Sequence, residues 1–283
     1  MAGADDSNPR RRVVIALDPI APEAAALDLA ILQDMLREGI EELVGMFVED
    51  TRLLAHARSR LATEVVLTGA ARPLDARSLE RQLRAKAAEA RRRFESTALQ
   101  LGLPHAFRVT RGEPLTELSS VAAAARALVI AVAGEAAGAR TWAGAALHEL
   151  ARLDVPALLF AREGWQRGRS VVAVIEDPAQ VAGTLANARR LARAAGVPLK
   201  VYLGGAALTR RQELSDVLTS QADETVAVSV QSLPAQADPS AAVRALLADQ
   251  PRMVVLAAPA GDVNVDLLKE LLRRTSAAVL VLR

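Results

Sequence analysis

The chain has 283 residues, 51% hydrophobic but only 2% aromatic, with 35 basic and 33 acidic residues, a net charge of +2 and no cysteine. Balanced charge speaks against binding nucleic acid through a basic field, and the dearth of rings speaks against base stacking. The missing thiols exclude disulfides, thiolate nucleophiles and cysteine-ligated metals, while the length suits two domains of about 100–200 residues each.

The opening residues include Asp5 and Asp6, so no secretory signal is expected among them. The longest apolar stretch, residues 121–133, contains Arg126 and falls short of the ~20 residues a bilayer requires. A soluble, cytoplasmic protein with no membrane partner is expected.

Residues 13–17 are wholly apolar, as in a parallel strand covered on both faces. A helix follows over 24–37 and a strand over 43–48. Segment 73–101 reads as a long helix, with Leu79, Leu83, Ala87, Ala90, Phe94 and Leu101 on one stripe and Glu80/Arg84 and Glu89/Arg93 paired on the wet side. Gly102 and Pro104 end it. Strand 107–110, helix 115–126, strand 127–132, helix 142–153 and strand 157–160 complete this half. The second half gives strand 171–175, helix 179–195, strand 199–203, helix 209–221, strand 225–230, helix 240–249, strand 253–257, helix 266–274 and strand 278–282.

The two halves run on one plan. Arg12-Val13-Val14-Ile15-Ala16-Leu17-Asp18-Pro19 is answered by Ser170-Val171-Val172-Ala173-Val174-Ile175-Glu176-Asp177-Pro178. Each half closes on another apolar run, the second being Ala277-Ala278-Val279-Leu280-Val281-Leu282. Repetition at this scale predicts two similar α/β domains, residues 12–161 and 169–283, joined by a polar linker over 162–168. Alternating strands and helices predict parallel sheets with right-handed crossovers. Ligands of such sheets sit beyond the carboxyl ends of the strands. The places to search are Asp18, Glu176, Asp177 and the loops after Val132 and Ala257.

The element order, the acidic residue ending the first strand, the step Arg111-Gly112-Glu113-Pro114 before a helix and the loop–helix–Val155-Pro156-strand ending resemble the universal stress protein superfamily, in a tandem two-domain form. The segment Val48-Glu49-Asp50-Thr51-Arg52-Leu53-Leu54, with Arg72-Pro73-Leu74-Asp75 ahead of the long helix, is similar to one bacterial branch of it. The resemblance implies two tandem domains of the adenine-nucleotide-α-hydrolase-like fold, each a five-stranded parallel sheet flanked by helices. It also implies that the last strand serves domain or subunit pairing.

Nucleotide-binding members carry a Gly-x2-Gly-x9-Gly-Ser/Thr loop after the fourth strand, where glycine lets backbone amides reach phosphate. The register here is Ala131-x2-Gly134-x9-Gly144-Ala145, so the first glycine and the final hydroxyl are both alanine. Gly138 and Arg140 would assist a phosphate and Glu135 would oppose it. By the resemblance, Asp18 would contact the nucleoside, with Val48 near the bound nucleotide, although Asp18-Pro19 also reads as a turn into the next helix. The equivalent second-half loop has the single glycine Gly261 and two carboxylates, Asp262 and Asp266; Asp266 reads as a helix cap, and this half is expected to have lost nucleotide binding.

Other chemistry is sparse. His56, His105 and His148 are scattered without metal-ligand spacing, and neither a Gly-x-Ser-x-Gly elbow nor a Gly-x4-Gly-Lys-Ser/Thr loop occurs. Glu49 and Asp50, adjacent on a strand, point to opposite faces and read as a loop start. Arg91-Arg92-Arg93 interleaves with Asp75, Glu80, Glu89 and Glu95 and reads as a solvated helix face. The expectation is a protein without enzymatic activity, metal or cofactor. It would act as a regulator or adaptor through an unknown protein partner, with self-association by intramolecular domain pairing and a further homodimer. The alternative is a sensor binding one ATP or AMP in the first domain near Asp18, Val48, Gly134, Gly138, Arg140 and Gly144.

Overall fold

The computed structural model describes residues 12–17, 40–59, 63–65, 71–73, 75–132, 146–162, 168–220, 226–234, 239–258 and 263–283. The helix expected over 24–37 and the candidate residues Asp18, Gly134, Gly138, Arg140 and Gly144 lie outside these.

The first half contributes β1 (Arg12–Leu17), β2 (Glu42–Asp50), α1 (Thr51–Ala57), β3 (Thr63–Val65), β4 (Ala71–Pro73), α2 (Ala76–Leu101), β5 (His105–Gly112), α3 (Pro114–Ala122), β6 (Ala125–Val132), α4 (Leu147–Leu150) and β7 (Ala157–Arg162). The second contributes β8 (Ser170–Ile175), a 3₁₀ turn (Pro178–Gln180), α5 (Val181–Ala195), β9 (Leu199–Leu203), α6 (Gly205–Thr209), α7 (Arg211–Ser220), β10 (Val228–Ser232), α8 (Pro239–Ala248), β11 (Pro251–Ala257), α9 (Val265–Arg274) and β12 (Ala278–Leu282).

Ten strands form one continuous sheet in the order β5-β2-β1-β6-β7-β12-β11-β8-β9-β10. Both halves place their strands third-second-first-fourth-fifth. Every pairing is parallel except that of β7 with β12, which is antiparallel and sets Leu159 opposite Leu280. The polypeptide is thus α/β, as its alternating pattern predicts. Each apolar strand is buried on both faces because successive side chains serve two separate helix layers. Val13, Ile15 and Leu17 join the layer of α2 and α5; Val14 and Ala16 join that of α3, α4, α8 and α9. On the latter side α9 packs against α4, so helices from both halves meet over the seam.

The 26-residue α2 starts where Asp75 accepts from the amides of Arg77 (3.1 Å) and Ser78 (3.0 Å), and ends at Gly102 in the left-handed region (φ 66°). Leu83, Ala87, Ala90, Phe94 and Ala98 form its buried stripe. At Gly45 of β2 a Cβ would lie 2.8 Å from the Phe107 ring and 3.0 Å from that of Phe94. Glycine there makes room for the tilted Phe94–Phe107 pair, whose centroids are 5.7 Å apart.

Several expectations are corrected. The helix read over 115–126 stops at Ala122, because Ala125 pairs with Arg12 and opens β6. The helix read over 209–221 is two helices, with Arg210 at the junction and bonded to Glu213. Asn264, not Asp266, caps α9, its side chain accepting from Leu267 N at 3.0 Å. Glu80 does not pair with Arg84: it meets Arg58 at 3.2 Å, while Arg84 Nε donates to the Glu80 carbonyl. The antiparallel pair β3–β4 went unforeseen.

Candidate functional site

The carboxyl ends of β1, β2, β5 and β6 form the crest where a ligand of the first half would sit. β1 ends at Leu17, paired with Phe47, while β2 runs on three residues to Asp50, and Val48 is the first, buried residue of that extension. Of the six candidate nucleotide residues, Val48 is the one the structure describes. It therefore places none of the other five beside it.

Alternation along β2 sends the next two carboxylates apart. Glu49 is buried and accepts from Arg111 on β5, whose Nε and Nη2 lie 3.0 and 2.8 Å from the same Oε2. That bond and the carboxylate's charge make the Arg111 guanidinium hold its proton more tightly than usual. Asp50 turns the other way and caps α1, accepting from Arg52 N at 2.8 Å. The two carboxylates serve separate structural tasks.

The Arg111-Gly112-Glu113-Pro114 step is explained residue by residue. Arg111 covers Glu49. At Gly112 a Cβ would lie 2.5 Å from Glu117 Oε1, so the absent side chain lets Glu117 fold back. Glu113 stands at the cap of α3 but forms an ion pair with Arg52 instead of capping. Pro114 opens the helix, where its missing N–H costs nothing. Beside this step lies an open cavity of about 270 Å³, lined by Asp50, Arg52, Glu113 and Glu149 among others. Three carboxylates and one arginine already paired to a carboxylate make it unfavourable for phosphate.

In the second half the turn after β9 folds over the end of β8. Gly204 N donates to the Ile175 carbonyl and Ala207 N to that of Glu176, both at 3.0 Å. Gly205 has φ +50°, and a Cβ there would sit 3.0 Å from Glu176 O. Leu233 is buried over Gly204. Asp177 caps the 3₁₀ turn, accepting from Ala179 N at 2.9 Å.

No protein-family model and no curated protein matches this chain. Among solved structures, a universal stress protein from Archaeoglobus fulgidus DSM 4304 superposes with a TM-score of 0.61 at 12% identity, over 98% of this chain and 97% of that one. The fold is that of a universal stress protein. A functionally unknown protein from Pseudomonas aeruginosa PAO1 gives 0.54 at 12% identity, over 96% and 92%. The cytoplasmic domain of a prokaryotic cation chloride cotransporter gives 0.51 at 11%, over 96% and 94%.

Within this universal stress fold, several of the polar residues that the sequence singles out have structural partners. Arg93 pairs with Glu89 at 2.7 Å, and Arg91 lies over the Phe107 ring at 5.2 Å, so two of the three consecutive arginines belong to the helix surface. His105 Nδ1 lies 3.1 Å from the Leu103 carbonyl. Among the described residues no group of three His, Asp or Glu could hold a metal ion, and no helix is long and apolar enough to cross a membrane. Two buried polar features were not foreseen. One is the Glu49–Arg111 pair. The other is Tyr202, whose hydroxyl lies 2.8 Å from Asp249 Oδ2 and 3.1 Å from the Ala245 carbonyl. Burial, then the Asp249 bond and charge, push its pKa up.

Proposed function

We propose that the chain is a two-domain regulatory protein of the universal stress type that acts by docking a protein partner, without chemistry of its own. The observation that supports this reading is the state of the two crests. The first carries carboxylates whose neighbouring arginines, Arg52 and Arg111, are engaged with Glu113 and Glu49. In the second, the Gly204–Gly205 turn occupies the space above Glu176. A homodimer would form elsewhere than at the last strands, which pair with each other inside the chain; this reading assigns it to the edge strands β5 and β10. The test is native purification, perchloric-acid release and chromatography of bound nucleotide. This reading expects none, together with no thermal shift on adding ATP or AMP.

The second reading is an adenine-nucleotide sensor using Asp18, Val48, Gly134, Gly138, Arg140 and Gly144. It draws support from the place of Val48, buried on β2 one residue past the end of β1. A stoichiometric nucleotide, lost on Gly134→Asp, would replace the first reading with this one.

A further inference from the structure

Arg92, the middle of the three consecutive arginines on α2, has no hydrogen bond or ion pair among the described residues. It lines an open groove of about 380 Å³ between α2 and the edge strand β5. Val109, Ala87 and Ala88 give the groove an apolar base, and Val109 remains 44% exposed. Arg84 and Arg91 line it too. Arg84 bonds to a backbone carbonyl and Arg91 lies over the Phe107 ring, so among the described residues neither is paired to a carboxylate. The carboxylates nearby are engaged elsewhere: Glu49, which also lines the groove, with Arg111, Glu80 with Arg58 and Glu89 with Arg93. Glu95, one helical turn beyond Arg91, is outside the lining and forms no ion pair with these arginines. The groove therefore carries an excess of positive charge over an apolar base.

The strand beside it is the longer of the two edges, His105–Gly112 against Val228–Ser232, and no strand covers its outer side among the described residues. Leu43 N donates to the Pro104 carbonyl at 2.9 Å. Alternation along the parallel ladder then turns the backbone groups of Ala106, Arg108 and Thr110 toward β2. Those of Phe107, Val109 and Arg111 face outward, where an added strand would bond them. Side chains alternate as well. Val109 faces the groove, and the exposed Arg108 projects from the opposite face.

Charge and shape choose the occupant. Antiparallel pairing of β5 with a second copy of itself would set the same arginines against each other. That narrows self-association to β10. We propose that β5 docks an extended acidic segment of a partner protein as an added strand. One aliphatic side chain of the segment covers Val109 in the groove, and carboxylates on either side of it meet Arg84, Arg91 and Arg92. The inference rests on the reading of the chain as a docking protein and names what it docks. The backbone of β5 supplies affinity, and the arginines select the sign of the charge.

The experiment is calorimetric titration of the full chain with a short threonine peptide that has leucine at its centre and glutamate two residues to either side. That spacing puts all three side chains on one face of a strand. The same peptide with lysine for glutamate is the control. The glutamate peptide is expected to bind once per chain and to weaken as salt rises. The lysine peptide should bind at least about tenfold more weakly. Val109→Pro removes an outward N–H and none of the bonds to β2, a change that an edge strand tolerates. It should keep the fold by circular dichroism and weaken the glutamate peptide about three- to tenfold, the range of one hydrogen bond. Arg92→Glu alters an exposed position, should weaken the same peptide by a similar factor and strengthen the lysine one, and decides alone if the proline variant unfolds. Absence of binding, equal binding of the two peptides, or glutamate-peptide binding unchanged by the variants would overturn the docking site. A dimer that sedimentation detects and Val109→Pro dissolves would give this edge to a second copy and overturn it as well. A nucleotide-free chain that binds no peptide would end this inference alone. Stoichiometric nucleotide would end the docking reading and leave the titration to decide β5.

Discussion

Glu49 of β2 and Arg111 of β5 stand opposite each other in register, and two nitrogens of the arginine reach one oxygen of the carboxylate at 3.0 and 2.8 Å. Glu49 is 8% exposed, whereas the Arg111 side chain retains 53% of its exposure. Removing the arginine therefore strands a buried carboxylate, while neutralising the glutamate releases a guanidinium into water. Arg111→Ala is expected to lower Tm by several degrees and by more than Glu49→Gln. Adding Glu49→Gln to Arg111→Ala should recover part of the loss. Thermal melts of the three variants decide it, and equal losses from the two single changes would sink the argument.

Two glycines should respond in opposite directions. At Gly45 a Cβ meets ring carbons at 2.8 and 3.0 Å, so Gly45→Val overpacks the site between Phe94 and Phe107 and should cost about 1–3 kcal/mol. At Gly183 a Cβ meets nothing within 4 Å, and the residue lies inside α5. Gly183→Ala should stabilise by about 0.5–1 kcal/mol through chain entropy. Urea denaturation of both variants measures the pair. A destabilised Gly183→Ala would mean that α5 is not helical at that residue.

The parts of the fold visible in the sequence are those set by local composition. Strand 278–282 falls where it was expected because a continuous apolar run between Ser276 and Arg283 admits few other placements. The three-residue strands β3 and β4 carry no periodicity to detect. Arg210 stands between the helix that ends at Thr209 and the one that begins at Arg211, bonded to Glu213 in the first turn of the latter, a break that helix propensity does not report. The Glu49–Arg111 pair joins residues 62 apart, so it depends on strand register, which one sequence does not display. The same holds for the antiparallel junction: β7 and β12 read as apolar runs, and nothing local says that they pair with each other. The step Arg111-Gly112-Glu113-Pro114 was legible as a motif, but its tasks are structural. Of the candidate nucleotide residues, Val48 falls on a described element, the end of β2; the loop glycines do not.

Glu270 on α9 sets part of the acid limb of stability. It accepts from Arg273 at 2.8 and 2.9 Å, forms an ion pair with Arg274, and lies 3.4 Å from the Ser240 hydroxyl. The Arg273 bond leads the causes that hold its pKa below the ordinary carboxylate value, and burial opposes them. A depressed folded-state pKa means that the unfolded chain binds the proton first. The contribution is then complete above the unfolded value of about 4.3 and is lost as pH falls through the folded one. Glu270→Gln should therefore lower Tm at neutral pH and flatten its decline below about pH 4.3. Parallel acid limbs for the two proteins would assign that limb to other carboxylates.

Leu159 and Leu280 face each other across the β7–β12 junction, each 1% exposed, within a core cluster that draws residues from both halves. On the opposite face α9 packs against α4. Shared cores on both sides of one sheet make the halves a single cooperative unit, so the native chain should unfold in one transition by calorimetry and by urea. Leu280→Ala removes packing from the junction and should cost about 2–5 kcal/mol, the usual range for a large-to-small change in a core. Because the residue serves the junction as well as its own half, the variant should also begin to separate the transitions of the two halves. Two resolved transitions in the unmodified chain would show that the antiparallel junction does not couple the halves. A single sharp transition in Leu280→Ala with an unchanged midpoint would show that Leu280 contributes no packing there.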